Sequence, residues 1–434
     1  MKNKLIINII VANLLWSFIP IVVSKLFLEV SIIMVIFLRF LISGFVLLVL
    51  VVFLVLINNK LTKNKSISLR FLFKTLFHKN RRFFGTKNIS YYAYLGFFGI
   101  ILQIIFFFLT LKVTSITFTM VGFLLSIILI ALYEKGVNFK KFDIFKALYI
   151  IILLFTIVLL IFVGSTGTPI RLNGIIYLLI FSVTISFLYI SINRDAYSKY
   201  ETTQINENKY YKIPRFLIKM AFSFLIGIIF MIPLIFIIYL LPIETDLTYE
   251  IVKFFEQFPN LFSILGRWEI IFLIIFSTII PYLLVFIANV NWKSESLTYS
   301  QWNSILNLID PMGSIIFSVI FVNEYFPLEL LIIVVFLIIT TVILRYSHEV
   351  KNLVQAVLLL KIHRGSMNKV ALRVFKYYGV TSTYALIGAS DLLLNVKISS
   401  IKDFYDLINT RLKPLRDIQN IEILFANQIE KIII

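Results

Sequence analysis

SQWNSILNLIDPMGSIIFSVIFVNE, residues Ser300–Glu324, is apolar enough to cross a bilayer yet carries a carboxylate and a proline near its middle. At about 100° per residue, Asn303, Asn307, Asp310 and Ser314 fall at i, i+4, i+7 and i+11 and share one helix face. An ionised Asp at the centre of a membrane helix costs about 2.5–3.5 kcal/mol, so Asp310 is expected to face protein or a wet cavity. Pro311 has no amide hydrogen, which deprives the carbonyl of Asn307 of its helical partner and offers it to a ligand. The structural alternative for Asp310 is a buried pair with Arg39.

Of 434 residues, 60% are hydrophobic, 44 are Phe and only 15% are charged, which excludes an ordinary soluble protein. There are no cysteines, so disulfides, thiolate metal sites and Cys nucleophiles are excluded; His78, His348 and His363 are too scattered to suggest a metal site. No Gly-rich phosphate loop and no nucleophile with a suitably spaced base is present, so neither an enzyme nor a cofactor is expected. The net charge of +19 lies largely in loops beside hydrophobic stretches, where it orients the chain, and nucleic acid is not an expected partner.

Hydropathy divides residues 5–346 into ten expected spans. Leu5–Phe27 lacks a small-residue cleavage site and is read as an uncleaved first helix. In it Asn13, Ser17, Pro20 and Ser24 repeat the polar stripe, beside Trp16, which is either an interfacial aromatic or a substrate platform. Val30–Ile57 carries Arg39, whose guanidinium needs a partner or a path to the headgroups. Ile89–Val113 holds Gln103 near its centre. Ser115–Tyr133, Ala147–Val163, Asn173–Ile192, Phe216–Leu241, Glu269–Val290, the opening stretch and Leu328–Tyr346 complete the set. Ser182, Ser186, Tyr189 and Asn193 form a third stripe in the sixth span, and Pro281, a turn after Ser277 and Thr278, predicts a kink in the eighth.

Asn58–Asn88 holds nine Lys or Arg and no acid, which places it in the cytoplasm. Within it Leu69, Leu72, Phe73 and Leu76 are helically spaced against Arg70, Lys74 and Lys79, as in an amphipathic helix on anionic lipid; a solvated linker is the alternative. Asn193–Arg215 reads as a polar loop. Pro242–Trp268 reads as an outer loop, in which Glu244, Asp246, Glu250 and Glu256 outnumber Lys253 and Arg267. An even span count puts both termini in the cytoplasm.

VGFLLSIILIALYE (Val121–Glu134) lies over PMGSIIFSVIFVNE (Pro311–Glu324) without gaps, each followed by one more span. The chain thus reads as two five-helix units, 1–168 and 169–348, meeting at the turn GSTGTP (Gly164–Pro169); chance similarity of short apolar segments is the alternative. An odd span count per unit inverts the second relative to the first, an arrangement suited to alternating access. Glu134 and Glu324 are expected to be solvated carboxylates at helix ends.

Residues 5–346 resemble the drug/metabolite transporter superfamily, specifically EamA-type members with ten helices in two inverted repeats. The resemblance rests on NLLWSFIPIVVSK (Asn13–Lys25), on LRF around Arg39, and on Pro311 spaced thirteen residues from Glu324; Val121 stands where the first unit would carry its Pro. It implies export or exchange of small metabolites, often amino acids, by secondary transport.

Residues 349–434 return to soluble composition. VQAVLLLKI (Val354–Ile362), MNKVALRVFKYY (Met367–Tyr378), VTSTYALI, LLLNVKI, SSIKDFYDLINTRLKPL (Ser399–Leu415) and IQNIEILFANQI (Ile418–Ile429) predict a βαββαβ ferredoxin-like unit. This is similar to the ligand-binding (RAM) domain of leucine-responsive, AsnC-type regulators, with GASD (Gly388, Ala389, Ser390, Asp391) in place of that family's Gly-x-x-Asp turn. The resemblance implies dimerisation and uptake of a small effector near that turn, whereas a plain hairpin corner is the reading without a ligand. The regulators' helix-turn-helix is missing, so DNA binding does not carry over.

The expectation is an α-helical protein of the cell membrane with a cytosolic α+β domain, acting as a secondary transporter of a small polar metabolite such as an amino acid. Asn13, Trp16, Ser17, Arg39, Gln103, Ser182, Tyr189, Asn303, Asn307 and Asp310 would line the path, and Gly388–Asp391 would hold the effector. Expected partners are the solute, anionic lipid at the 58–88 loop and a second copy through the C-terminal domain. A non-transporting, membrane-tethered sensor or assembly protein is the competing class.

Overall fold

The computed structural model of the chain describes residues 2–61, 67–79, 85–136, 148, 150–156, 158–159, 172–192, 198–240, 244–291, 306–324, 328–351, 354–363, 365–375, 377, 379–398, 401–415 and 417–425. Asn193, Asn303 and the GSTGTP turn lie outside them. The chain forms two compact units, a helical one built on Ile6–Val290 with Leu306–Thr341, and a second that contains the chain from Val342 onward.

The helical unit begins with α1 (Lys2–Ser17) and α2 (Ile19–Glu29), which break at Phe18 because Pro20 has no amide for the carbonyl of Trp16. There follow α3 (Ile32–Leu61), α4 (Leu69–Lys74), and α5 (Asn88–Tyr94), which passes through a π turn at Leu95–Ile101 into α6 (Leu102–Val113). Next come α7 (Ile116–Gly136), α8 (Leu172–Ile192), α9 (Lys199–Glu207), α10 (Lys212–Leu240), α11 (Asp246–Gln257) and α12 (Leu261–Leu265). A second π turn, Ile275–Ile279, joins α13 (Trp268–Ile274) to α14 (Ile280–Asn291), and a third, Ser318–Val322, ends α15 (Ile309–Phe317) before α16 (Leu328–Lys351).

Six helical runs among the described residues are long and apolar enough to cross a membrane: Leu5–Glu29, Ile32–Lys60, Asn88–Val113, Leu172–Ser191, Lys212–Leu240 and Trp268–Ala288. Ile116–Ile130, Ile309–Val322 and Leu331–Thr340 are shorter apolar helices at the places of the fourth, ninth and tenth expected spans. In the fifth, residues 150–156 are helical. Large apolar side chains such as Phe53, Ile229, Ile237, Ile320 and Ile339 point outward. Apolar residues inside and outside alike are what a bilayer-embedded protein presents.

Neighbour contacts give the helix directions. Tyr91, Phe98 and Phe107 meet Ser191, Phe187 and Phe181 in turn, so the α5–α6 span runs antiparallel to α8. Gly122 and Ser126 of α7 meet Ser182 and Ser186, so α7 and α8 run parallel. Tyr92, Gly96 and Ile101 meet Arg215, Ser223 and Gly227, so α10 runs parallel to α5–α6. This last contact is intimate enough that a Cβ on Gly96 would overlap the Ser223 carbonyl oxygen.

Three readings of the sequence change. The described helix α15 begins at Ile309, so Pro311 occupies its first turn, where an amide has no intrahelical partner in any case. The expected outer loop is largely helical: α11 buries Glu250, Ile251 and Phe254. The expected polar loop contains α9, started by a Ser198/Glu201 capping box. The basic stretch does contain a helix, α4, continued by a 3-10 turn at Thr75–Phe77, with Leu72, Thr75 and Leu76 buried and Arg70, Phe73, Lys74 and Phe77 exposed.

The C-terminal domain has four antiparallel strands, β1 (Val354–Ile362), β2 (Val380–Ala385), β3 (Leu392–Ile398) and β4 (Ile418–Phe425), in the order β2-β3-β1-β4. Two helices, α17 (Met367–Val374) and α18 (Ile401–Leu407), complete the βαββαβ order. Alternation along β1 and β3 buries Leu358, Leu360, Leu392, Leu394 and Val396 against Val370, Val374, Phe404 and Leu412. The opposite face carries Val357, Leu359, Leu393, Tyr384 and Leu424, of which Tyr384 and Leu424 are exposed.

Candidate functional site

Pro281 organises the best candidate. It lacks the amide that would bond the carbonyl of Ser277 four residues back, and that carbonyl instead accepts two side-chain donors, Trp16 Nε1 at 3.1 Å and Arg39 Nη2 at 3.1 Å. Thr278 Oγ1 accepts from Arg39 Nε at 2.8 Å and donates to the Leu273 carbonyl, five residues back, across the π turn. Tyr282 adds an edge-on contact to the Trp16 ring. One interrupted helix thereby gathers α1 and α3, and π turns of this kind recur at functional sites. The carbonyl freed by Pro281 is that of Ser277, the counterpart of the Asn307 carbonyl at Pro311.

The other face of the first span meets α15. Gly313 approaches Ser17 so closely that a Cβ there would lie 2.6 Å from Ser17 Oγ. Ser314 Oγ donates to the Ser17 carbonyl at 3.2 Å and lies 3.4 Å from Asp310 Oδ1. Asn13, Ser17, Asn307, Asp310 and Ser314 are all buried. Asn13 donates to the Ile9 carbonyl while its Oδ1 is unmatched, as are Asn307 Oδ1 and Arg39 Nη1. The ion pairs among the described residues are Lys112–Glu250, Arg215–Glu201 and Arg267–Glu29, so Arg39 and Asp310 are not paired with each other.

Not every striped residue joins this cluster. Ser182 donates to the Leu178 carbonyl and faces Gly122, Ser186 donates to the Ser126 carbonyl, and Tyr189 lies beside Phe123, so the sixth-span stripe turns toward α7. Gln103 is buried in α6. Glu324 is not simply solvated: its Oε1 accepts from the Thr117 amide in the first turn of α7, where a helix favours an anion. The side chain of Glu134 is outside the described residues.

Two polar ties at opposite ends of the α5–α6 span escaped the sequence reading. At one end the buried Arg215 bonds Glu201 at 2.6 Å and also donates to the Tyr92 hydroxyl. At the other, Glu250 is paired with Lys112 and accepts from the Ile32 amide at 2.6 Å, capping α3. Burial pushes the nearby Lys253 ammonium below its ordinary value, against the opposing pull of Glu250.

In the C-terminal domain Gly388 adopts φ +155° in the turn after β2, and Ile387 beside it is fully exposed. Asp391 Oδ2 accepts from the Ile362 amide at 2.7 Å, where the β1–β4 register shifts. Its carboxylate thus holds the end of the inner strand β1, while Gly388 and Ala389 stand exposed. Residues 355–431 match the Lrp/AsnC ligand binding domain. The match falls on the βαββαβ unit and is to a domain that binds ligands. No curated protein and no solved structure matches the chain. The chain therefore combines membrane-type helices with an Lrp/AsnC-type ligand-binding domain.

Proposed function

We propose that the helical unit is a secondary transporter of a small polar solute, moved by alternating access without covalent chemistry. The observation that carries this reading is the set of buried, unmatched polar atoms on the first, second and ninth spans: Asn13 Oδ1, Arg39 Nη1 and Asn307 Oδ1. Leaving a buried donor or acceptor unpaired costs about 1–3 kcal/mol, and a solute that matches them recovers it.

The ten-span, two-repeat architecture has support of its own. The α7 and α8 helices run parallel, which supports a span between them, at the place of the fifth. Both third-position spans of the proposed repeats, α5–α6 and α13–α14, carry a π turn. Packing between the third and sixth spans corresponds to Trp16 against Ser277, that between the third and seventh to Arg39 against Ser277, and that between the fourth and sixth to Ser17 against Ser314. The basic side of the bundle is assigned to the cytoplasm of a plasma membrane, with both termini there. The exposed Arg70, Phe73, Lys74 and Phe77 on and just after α4 suit contact with anionic lipid.

The test is counterflow in proteoliposomes with labelled amino acids and related zwitterions. Saturable exchange of at least one class is expected; no exchange of any sinks the transport reading.

We further propose that the Lrp/AsnC-type domain senses the transported compound or a relative and pairs with a second copy through its half-apolar open sheet face. Calorimetry on the full chain in nanodiscs is expected to register an amino acid that Gly388→Glu no longer binds. No heat with any common amino acid counts against the sensor. A non-transporting, membrane-tethered sensor is the second reading, favoured by the fact that the family match falls on the soluble domain alone. Ligand binding without exchange selects it.

A further inference from the structure

We infer that the solute site contains a carboxylate receptor, and that Arg39 is the receptor. The inference rests on the transport reading and adds to it the chemical class of the solute.

Arg39 is 2% exposed in the interior of α3. A guanidinium has five N–H donors. One, on Nε, goes to Thr278 Oγ1, and one of the two on Nη2 goes to the Ser277 carbonyl. Nη1 engages nothing, which leaves its pair of donors and the second Nη2 donor unmatched. The end-on edge of the fork, formed by Nη1 and Nη2, is thus the unused edge, and two parallel N–H bonds from such an edge fit the two oxygens of one carboxylate.

Charge points the same way. Among the described residues no carboxylate pairs with Arg39; the Phe40 ring lies 5.1 Å from the guanidinium carbon, and the Tyr282 phenol is also close enough to interact with it. Asp310, the obvious counter-ion, is turned to Ser314 on the other side of the first span. A buried cation without a counter-ion is costly, and neutral acceptors such as Ser277 and Thr278 orient it without neutralising it. The side chain is nevertheless locked on two of its three nitrogens by a helix that gave up its own regularity to do so. That is the arrangement of a receptor whose counter-ion arrives from outside. A single cation matches a singly charged anion, so a carboxylate fits better than a phosphate dianion.

Trp16 supplies the readout, because its indole and the Arg39 guanidinium donate to the same carbonyl. In the full chain with Trp268→Phe, Trp292→Phe and Trp302→Phe, Trp16 is the sole tryptophan. Iodide is expected to quench its fluorescence saturably. Acetate and benzoate should relieve the quenching, whereas acetamide and inorganic phosphate should not. Arg39→Gln should weaken the apparent iodide affinity at least tenfold and leave quenching by neutral acrylamide unchanged; Arg39→Lys, which keeps the charge and loses the fork, should fall between. Linear iodide quenching, or quenching that carboxylates do not relieve, overturns the inference in the single-tryptophan chain with Arg39 intact, whether or not the Arg39 variants fold. Relief by phosphate in preference to carboxylate also overturns it. Solute exchange without carboxylate competition at Trp16 refutes the receptor and leaves transport standing, whereas competition without exchange refutes transport and leaves the receptor.

Discussion

Glu201→Ala lowers the unfolding free energy of the helical unit by about 3–5 kcal/mol, because it breaks the buried Arg215–Glu201 ion pair. Arg215 is 1% exposed, and its Nε bonds Glu201 at 2.6 Å while another donor reaches the Tyr92 hydroxyl. Removing the carboxylate takes a full opposite charge and a charge-assisted hydrogen bond away from a buried guanidinium. The double variant Glu201→Leu with Arg215→Met removes both charges and is expected to recover most of the loss. Denaturant titration of the purified protein in detergent, followed by circular dichroism, measures all three. Equal stability of Glu201→Ala and wild type would show that the pair is exposed to water and structurally idle.

Asp310→Asn is expected to reduce solute exchange in proteoliposomes at least tenfold and to flatten its dependence on pH. Asp310 is buried, its side-chain hydrogen bond among the described residues is to Ser314 Oγ at 3.4 Å, and the pair with Arg39 that would have given it a structural role is not made there. Asn keeps the shape and loses the ability to ionise, so folding should survive while charge selection or proton carriage does not. Ser314→Ala, which removes the long hydrogen bond to Asp310 together with the bond to the Ser17 carbonyl but leaves the carboxylate, serves as the control and should retain most of the exchange. Unchanged exchange by Asp310→Asn across pH would take this residue out of the mechanism.

What could be read from residue order was local. Apolar runs of sufficient length marked the six long apolar helices, and VQAVLLLKI marked a strand, whose burial of Ala356, Leu358 and Leu360 on one face appears only in the structure. The GASD turn was visible because Gly and Asp have turn-specific chemistry, and Asp391 does bond the backbone of β1. The candidate site was legible in its members and less so in its arrangement. Helical spacing put Asn307, Asp310 and Ser314 on one face, but no spacing rule says that Ser182 turns toward α7 while Ser17 turns toward α15. Arg39 and Ser277 are 238 positions apart and become partners only through the freed carbonyl at Pro281. Arg215 and Glu201 looked like loop charges because burial depends on the tertiary placement of α9 and α10, which composition does not encode. Glu250 was counted with the acids of an outer loop; it is the cap of α3.

The two polar ties on the α5–α6 span differ in their access to water, and that difference has a physical consequence. The Arg215 and Glu201 side chains are 1% and 0% exposed, whereas Lys112, the partner of Glu250, is 30% exposed. Dissolved ions screen charges they can reach, within about 8 Å at physiological ionic strength, and leave sealed pairs untouched. Ionic strength is therefore felt at one end of the helical unit and not at the other. A rise in salt loosens the Lys112–Glu250 clasp over the start of α3 while the Arg215–Glu201 end stays fastened.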